Sequence, residues 1–132
     1  MPNRSTLDSL LQSTYIPEAA VTNPQTVVPG FDNLGCDAVT YLIAVKTGAA
    51  ALATIWESDD NITFTVPADP NVVIAPSGPG GTVSLAVANT ILMLAYVGNK
   101  RYTAVRTSGG TPTISVIAIG ELQNITDRAK TL

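Results

Sequence analysis

The stretch WESDDNITF (56–64) places Glu57, Asp59 and Asp60 within four positions of a 132-residue chain in which only 13% of residues are charged. Carboxylates this close could chelate a hard cation or divide acid–base work between them. Calcium asks for about five or more converging oxygens, usually on a glycine-shaped loop, and the Asp-x-Asp-x-Asp-Gly spacing is absent. Acid–base catalysis needs two carboxylates held in distinct environments across a cleft, whereas neighbours on one turn are solvated alike. Ser58, Asp59, Asp60 and Asn61 all favour turns, because their short polar side chains bond nearby backbone. The segment reads as the polar tip of a β-hairpin.

The remaining candidates for chemistry are few. The chain has no histidine, which excludes Ser-His-Asp and Cys-His triads and removes the commonest transition-metal ligand. Its one cysteine, Cys36, cannot build an internal disulfide framework or a cysteine-based zinc site. No basic group near it in sequence would activate the thiol. PSGPGG (76–81) has neither the Gly-Lys-Ser/Thr ending of a phosphate cradle nor a helix after it, and reads as an irregular loop. Glycosylation sequons begin at Asn3, Asn61 and Asn124, and matter only in a secreted chain. GNKRYTAVRT (98–107) carries Lys100, Arg101 and Arg106, three of the seven basic residues. Strand parity puts Tyr102, Ala104 and Arg106 on one face, so Arg106 must lie near a sheet edge or find a carboxylate. The segment is either a packed corner tyrosine with solvated neighbours or a basic strip that meets an acidic partner. No catalytic residue, metal or cofactor is expected.

Composition narrows the class further. A net charge of −3 without a basic run argues against nucleic acid, whose binding rests on neutralising phosphates. No apolar run approaches the roughly 18 residues of a membrane-spanning helix, and residues 1–20 lack the pattern of a secretory signal. Soluble domains average about 25% charged residues, roughly twice the value here, and mean hydropathy is +0.27. Such a surface, rich in Thr, Ala, Ser and Asn, is cheap to desolvate and suits a subunit covered by neighbours.

The elements that must carry these residues are β-strands. From residue 25 onward short β-branched runs alternate with Gly, Pro, Asn and Asp. The runs are 38–47, 51–58, 61–66, 71–75, 82–88, 90–97, 101–107 and 113–122. In the first, Val39, Tyr41, Ile43 and Val45 share one face, and the weakly polar Ala38, Thr40, Leu42 and Ala44 share the other. About eight short strands predict an all-β antiparallel two-sheet sandwich, jelly-roll or immunoglobulin-like, over residues 25–122. Residues 1–24 read as an extended N-terminal arm. Within it Ser5 and Asp8 form a weak capping box, and Leu7, Leu10 and Leu11 lie on one helical face, before Pro17 and Pro24. The arm is expected to order on a partner or to add to a neighbour's sheet. Residues 123–132 read as a polar C-terminal tail.

The order AVTYLIAV, ATIWESDDNITFTVPAD, AYVGNKRYTAVRT, TISVIAIGEL, covering roughly residues 35–122, resembles small virion proteins of tailed bacteriophages that cement or decorate capsids. The resemblance implies a β-sandwich on the outer surface of a capsid, bound to the major capsid protein, without catalysis. It transfers no contact motif. Trp56 departs from the pattern, where a smaller polar residue is expected, and reads as a local contact point. The residues assigned to partner contact are Leu7, Leu10, Leu11, Tyr15, Ile16, Trp56, Arg101 and Arg106, and self-association into a dimer or trimer is expected. Two rival readings remain. One is a head–tail connector or tail component of the virion. The other is a carbohydrate-binding or adhesin module, in which Trp56, Tyr96 and Tyr102 would line an exposed platform.

Overall fold

Val39, Tyr41, Ile43 and Val45 are almost wholly buried, while Thr40, Leu42 and Ala44 between them are half-buried. That alternation marks a strand with one face on a core. The computed structural model describes residues 10–20 and 30–122, and it is built from such strands. In chain order they are β1 (Leu10–Ala20), β2 (Phe31–Asp32), β3 (Cys36–Thr47), β4 (Ala51–Ser58), β5 (Val73–Ala75), β6 (Gly78–Pro79), β7 (Val83–Ser84), β8 (Thr90–Tyr96), β9 (Tyr102–Gly109) and β10 (Thr113–Leu122). A single 3-10 turn, Pro70–Val72, precedes β5. Asp69 caps it by accepting the Asn71 amide at 3.0 Å.

Every pairing is antiparallel. The strands form one six-stranded sheet, ordered β1-β10-β3-β8-β5-β6, and one four-stranded sheet, ordered β2-β9-β4-β7. From β2 onward the chain changes sheet at every connection except β5 to β6. Each sheet is therefore assembled from strands distant in sequence: β3 pairs with β10 from Thr47↔Thr113 to Cys36↔Leu122. The fold is the predicted two-sheet sandwich.

The core fills the space between the sheets. The large sheet contributes Tyr41, Ile43, Leu94, Ile114 and Val116, and the small sheet Ala53, Ile55 and Val105, all at or near zero exposure. One polar chain crosses the core. Thr103 Oγ1 donates to Asn33 Oδ1 at 3.1 Å, so the Tyr41 hydroxyl is the donor in its bond to Thr103. Asn33 Nδ2 donates in turn to the Lys100 carbonyl at 3.2 Å. Phe31 packs edge-on against the Tyr41 ring, with centroids 6.4 Å apart. A buried hydroxyl or carboxamide is tolerable only when paired, so this relay fixes β3, β9 and the β2–β3 turn relative to one another.

The structure departs from the sequence reading at four places. Residues 10–13 belong to β1 instead of continuing a helical face, and β1 pairs with β10 of the same chain from Leu10↔Glu121 to Ala20↔Thr113. Helical spacing of three leucines is weak against an open sheet edge that can take eight pairings. Pro17 falls where the register shifts, between Ile16 and Ala19, consistent with its missing N–H. Residues 61–66 form no strand: only Thr65 bridges back to Glu57. In 82–88 only Val83–Ser84 pair, and within the PSGPGG loop Gly78–Pro79 pair with β5. The Ser5–Asp8 cap, Leu7 and the tail 123–132 lie outside the described residues.

The relay yields a stability prediction. Tyr41→Phe should lower the unfolding free energy by about 1–2 kcal/mol. Thr103→Val, which removes the Oγ1 bonds to both Tyr41 and Asn33, should also lower it. Urea unfolding with an unchanged m-value is the measurement, and equal stability of the three proteins would refute the role of the relay.

Candidate interaction surface

The two outer faces of the sandwich differ. That of the small sheet is partly covered by its own chain, although Leu52 on β4 remains 46% exposed. Residues following β4 fold back across it, held by reciprocal backbone bonds of 2.9 Å between Glu57 and Thr65. Phe64 lies over the Arg106 guanidinium, 4.7 Å from its carbon to the ring centroid, and Arg106 is only 8% exposed. Asn61 takes a positive φ of 60°, a conformation Asn accepts more readily than most residues. It anchors the segment by accepting the Gly30 amide through Oδ1 at 2.7 Å. Glycine is required at position 30, since a Cβ would stand 2.6 Å from the Phe64 ring.

The three carboxylates of WESDDNITF are thereby dispersed. Glu57 Oε1 accepts the Tyr96 hydroxyl at 2.9 Å, and burial foremost pushes that phenol's pKa up. Asp59 forms an exposed ion pair with Lys100 at 2.7 Å. Asp60 Oδ1 accepts the Ile62 and Thr63 amides and the Ser58 hydroxyl, each at 2.9 Å. These bonds, the Thr63 amide first, hold its carboxyl below the usual 3.8. The acids cap a loop, as the sequence implied, although the loop is an arch under the sheet edge and not a two-strand hairpin.

Among the described residues, no segment covers the outer face of the large sheet in this way. Outward positions on its three central strands line up in rows through the register. Ile117, Leu42 and Met93 form the middle row. Ser115, Ala44 and Ile91 form the row on one side, and Ile119, Thr40 and Ala95 the row on the other, with Ile74 of β5 extending the latter. Ile91 is 74% exposed, Met93 52% and Ile74 44%. Among the described residues the charged outward positions on these strands are Lys46, at one end of β3, and Glu121, near the end of β10 beside Ala38. Three strands of about seven residues span roughly 14 Å by 24 Å, or about 340 Å². Apolar patches of that size usually belong to interaction sites.

The residues assigned to contact from sequence are scattered over this frame. Leu10, Leu11, Tyr15 and Ile16 all lie in β1. Its register sets Leu11 opposite Gly120 and Ile16 opposite Val116, positions buried on β10. Trp56 is half-buried on β4, paired with Ala104. Arg101 holds Asp32 through two bonds, Nε–Oδ1 at 3.1 Å and NH2–Oδ2 at 2.9 Å, and stands 5.1 Å from the Tyr102 ring centroid. That guanidinium is the main reason Asp32 titrates below 3.8. Arg106, beneath Phe64, is separated from Arg101, so no basic strip forms. The proposed aromatic platform is broken as well, because Tyr96 is 1% exposed in the core. Ile91, Met93, Ile117 and Ile119 were not singled out from sequence. Their signal was present in TILMLAYV and TISVIAIGEL, where apolar residues occupy both strand parities.

At the end of the sandwich holding the β2–β3 and β8–β9 turns, a recess of about 440 Å³ is lined by Asn33, Cys36, Asp37, Asn99 and Lys100, among others. Burial first, then the charges of Asp32 and Asp37, raise the Cys36 thiol pKa, which leaves it protonated and unreactive near neutrality.

Two outcomes follow. Asp32 and Asp60 have folded-state pKa values below those of the unfolded chain. Their contribution to stability is therefore present above about pH 4 and lost as pH falls through the folded-state values. Asp32→Asn with Asp60→Ala should flatten the acid limb of melting temperature against pH. An unchanged limb would mean these bonds contribute nothing. Calcium should leave the melting temperature unshifted, and a rise abolished by Asp59→Asn would reveal a cation site.

Neither protein-family models nor curated proteins match this chain. Solved structures do. The SPBc2 prophage-derived protein YomS superposes with a TM-score of 0.54 at 12% identity, over 84% of this chain and 93% of YomS. A chain from the disulfide-linked pili of Bacillus endospore appendages superposes with a TM-score of 0.47 at 13% identity, over 87% and 89% of the two chains. At such identity the likeness to YomS is one of fold: this chain and the prophage-derived protein share a β-sandwich.

Proposed function

We propose that this protein is a structural subunit of a bacteriophage virion, bound to the outside of the capsid, where it cements or decorates the shell of major capsid protein. The observation that carries the reading is the outer face of the large sheet, which on β10, β3 and β8 is uncharged between Lys46 and Glu121. A face with Ile91 three-quarters exposed belongs on a molecule that works in an assembly. The resemblance of residues 35–122 to tailed-phage virion proteins supports the reading. So does a fold shared with a prophage-derived protein.

The mechanism is stabilisation by linkage. A subunit seated over a junction between capsomers binds only the assembled arrangement, and so adds its binding free energy to that state. Repetition over a lattice supplies avidity, so each contact can stay modest. No bond is made or broken, and no side chain is assigned to catalysis. Arg101, Trp56 and the leading residues through Leu7 are the groups assigned to the shell, leaving the outer face of the large sheet for another partner. Arg101 is about half exposed despite its pairing with Asp32. It remains able to engage a carboxylate on a neighbouring subunit.

Co-sedimentation with intact virions or capsids is the test. The chain should pellet at a stoichiometry comparable to the shell protein. Removal of residues 2–9, which spares β1, should weaken capsid binding about tenfold or more, as loss of an anchoring cluster does. A chain that stays in the supernatant at all ratios, or forms rings that dock only on connectors, would refute the capsid assignment.

A further inference from the structure

We infer that the outer face of the large sheet is where two copies of this chain meet, packed face to face about a two-fold axis that runs across the strands through the Ile117–Leu42–Met93 row.

Charge selects a second copy first. The chain is acidic overall, at −3, so most surfaces of one copy repel those of another. On β10, β3, β8 and β5 this face is uncharged between its ends. Lys46 marks one end on β3, and Glu121 the other, beside Ala38. An axis across the strands reverses strand direction between the copies, so each Lys46 end comes over the partner's Glu121 end. An axis along the strands would instead stack Lys46 over Lys46.

Shape selects the same axis. With the middle row on the axis, positions on one side of it face their counterparts on the other side. Ile91 then faces Ala95 of the second copy, Ile119 faces Ser115, and Ala44 faces Thr40. Large residues meet small ones on both outer strands, the arrangement that lets two sheets interdigitate about 10 Å apart. Leu42 and Met93 meet their own counterparts. In such an isologous contact every substitution acts twice.

Area sets the strength. About 340 Å² per copy falls below the roughly 800 Å² of a standard interface. A reversible dimer is expected, assembled at micromolar or higher concentration. Edge-to-edge association is the less suitable route. Of the four sheet edges, β2, β6 and β7 are two residues long, and β1 is interrupted by two register shifts. Short and irregular edges do not template pairing.

The test needs only the purified full-length chain. Sedimentation velocity across micromolar to near-millimolar concentration should show a monomer–dimer equilibrium. Met93→Lys should weaken it tenfold or more with an unchanged melting temperature, because position 93 is outward and half exposed. In a Cys36→Ser background, Met93→Cys should oxidise to a covalent dimer, whereas Leu34→Cys, exposed but off this face, should not. A monomer at every concentration would overturn the inference, as would a dimer indifferent to Met93→Lys. So would dimerisation that appears only when residues 123–132 are removed, since the tail would then be the occupant. A monomer that still pellets with capsids would leave the proposed function standing and sink only this interface.

Discussion

Three neighbouring strands of this protein carry large apolar residues on both faces, and the rest of the molecule is arranged around that fact. A sandwich can bury one face of each sheet between its layers. The other face must be polar, or covered by the chain itself, or covered by something else. On the small sheet the chain partly covers it, folding Phe64 over Arg106. On the large sheet β10, β3 and β8 present isoleucine, leucine and methionine outward, and no described segment lies across them.

The low charge content has the same origin. A surface that must desolvate against neighbours cannot carry many solvated ions, because removing water from each costs more than a rim ion pair returns. Several of the charges among the described residues are engaged locally. Asp59 holds Lys100, Asp32 holds Arg101, and Asp60 caps its own loop. These pairs cluster toward the end of the sandwich where the β4–β5 and β8–β9 connections lie. Polar chemistry at that end serves architecture. The Tyr41–Thr103–Asn33 relay continues it into the core, where it specifies how the two sheets align.

Nearly every connection crossing from sheet to sheet explains why local signals mislead here. WESDDNITF has every mark of a hairpin tip, and its turn residues act as expected: Ser58 and Asp60 bond the following amides, and Asn61 adopts the left-handed conformation. Yet the chain leaving the turn has a partner strand at only one residue, Thr65. β9, distant in sequence, holds one edge of β4, and on the other β7 pairs with Leu52 and Ala53, so the returning chain bridges β4 at Glu57 alone. The leading segment shows the converse. Leu10 and Leu11 fit a helical spacing locally, but β10 offered an unpaired edge, and a ladder of backbone hydrogen bonds outweighs a marginal helix.

The sequence by itself determined the class. Period-two alternation in 38–47 dictated which of its residues face the core, and turn chemistry placed most of the breaks. The missing histidine and the lone cysteine closed off whole reaction types. These are properties of residues and their immediate neighbours, readable without partners. The tertiary structure decided which strands pair, that Arg106 is buried under Phe64, and that Ile91, Met93, Ile117 and Ile119 gather with Leu42 into one surface. Those facts depend on register between segments up to about eighty residues apart. Strand alternation says that a side chain points away from the core, but only the packing of distant strands says what stands beside it.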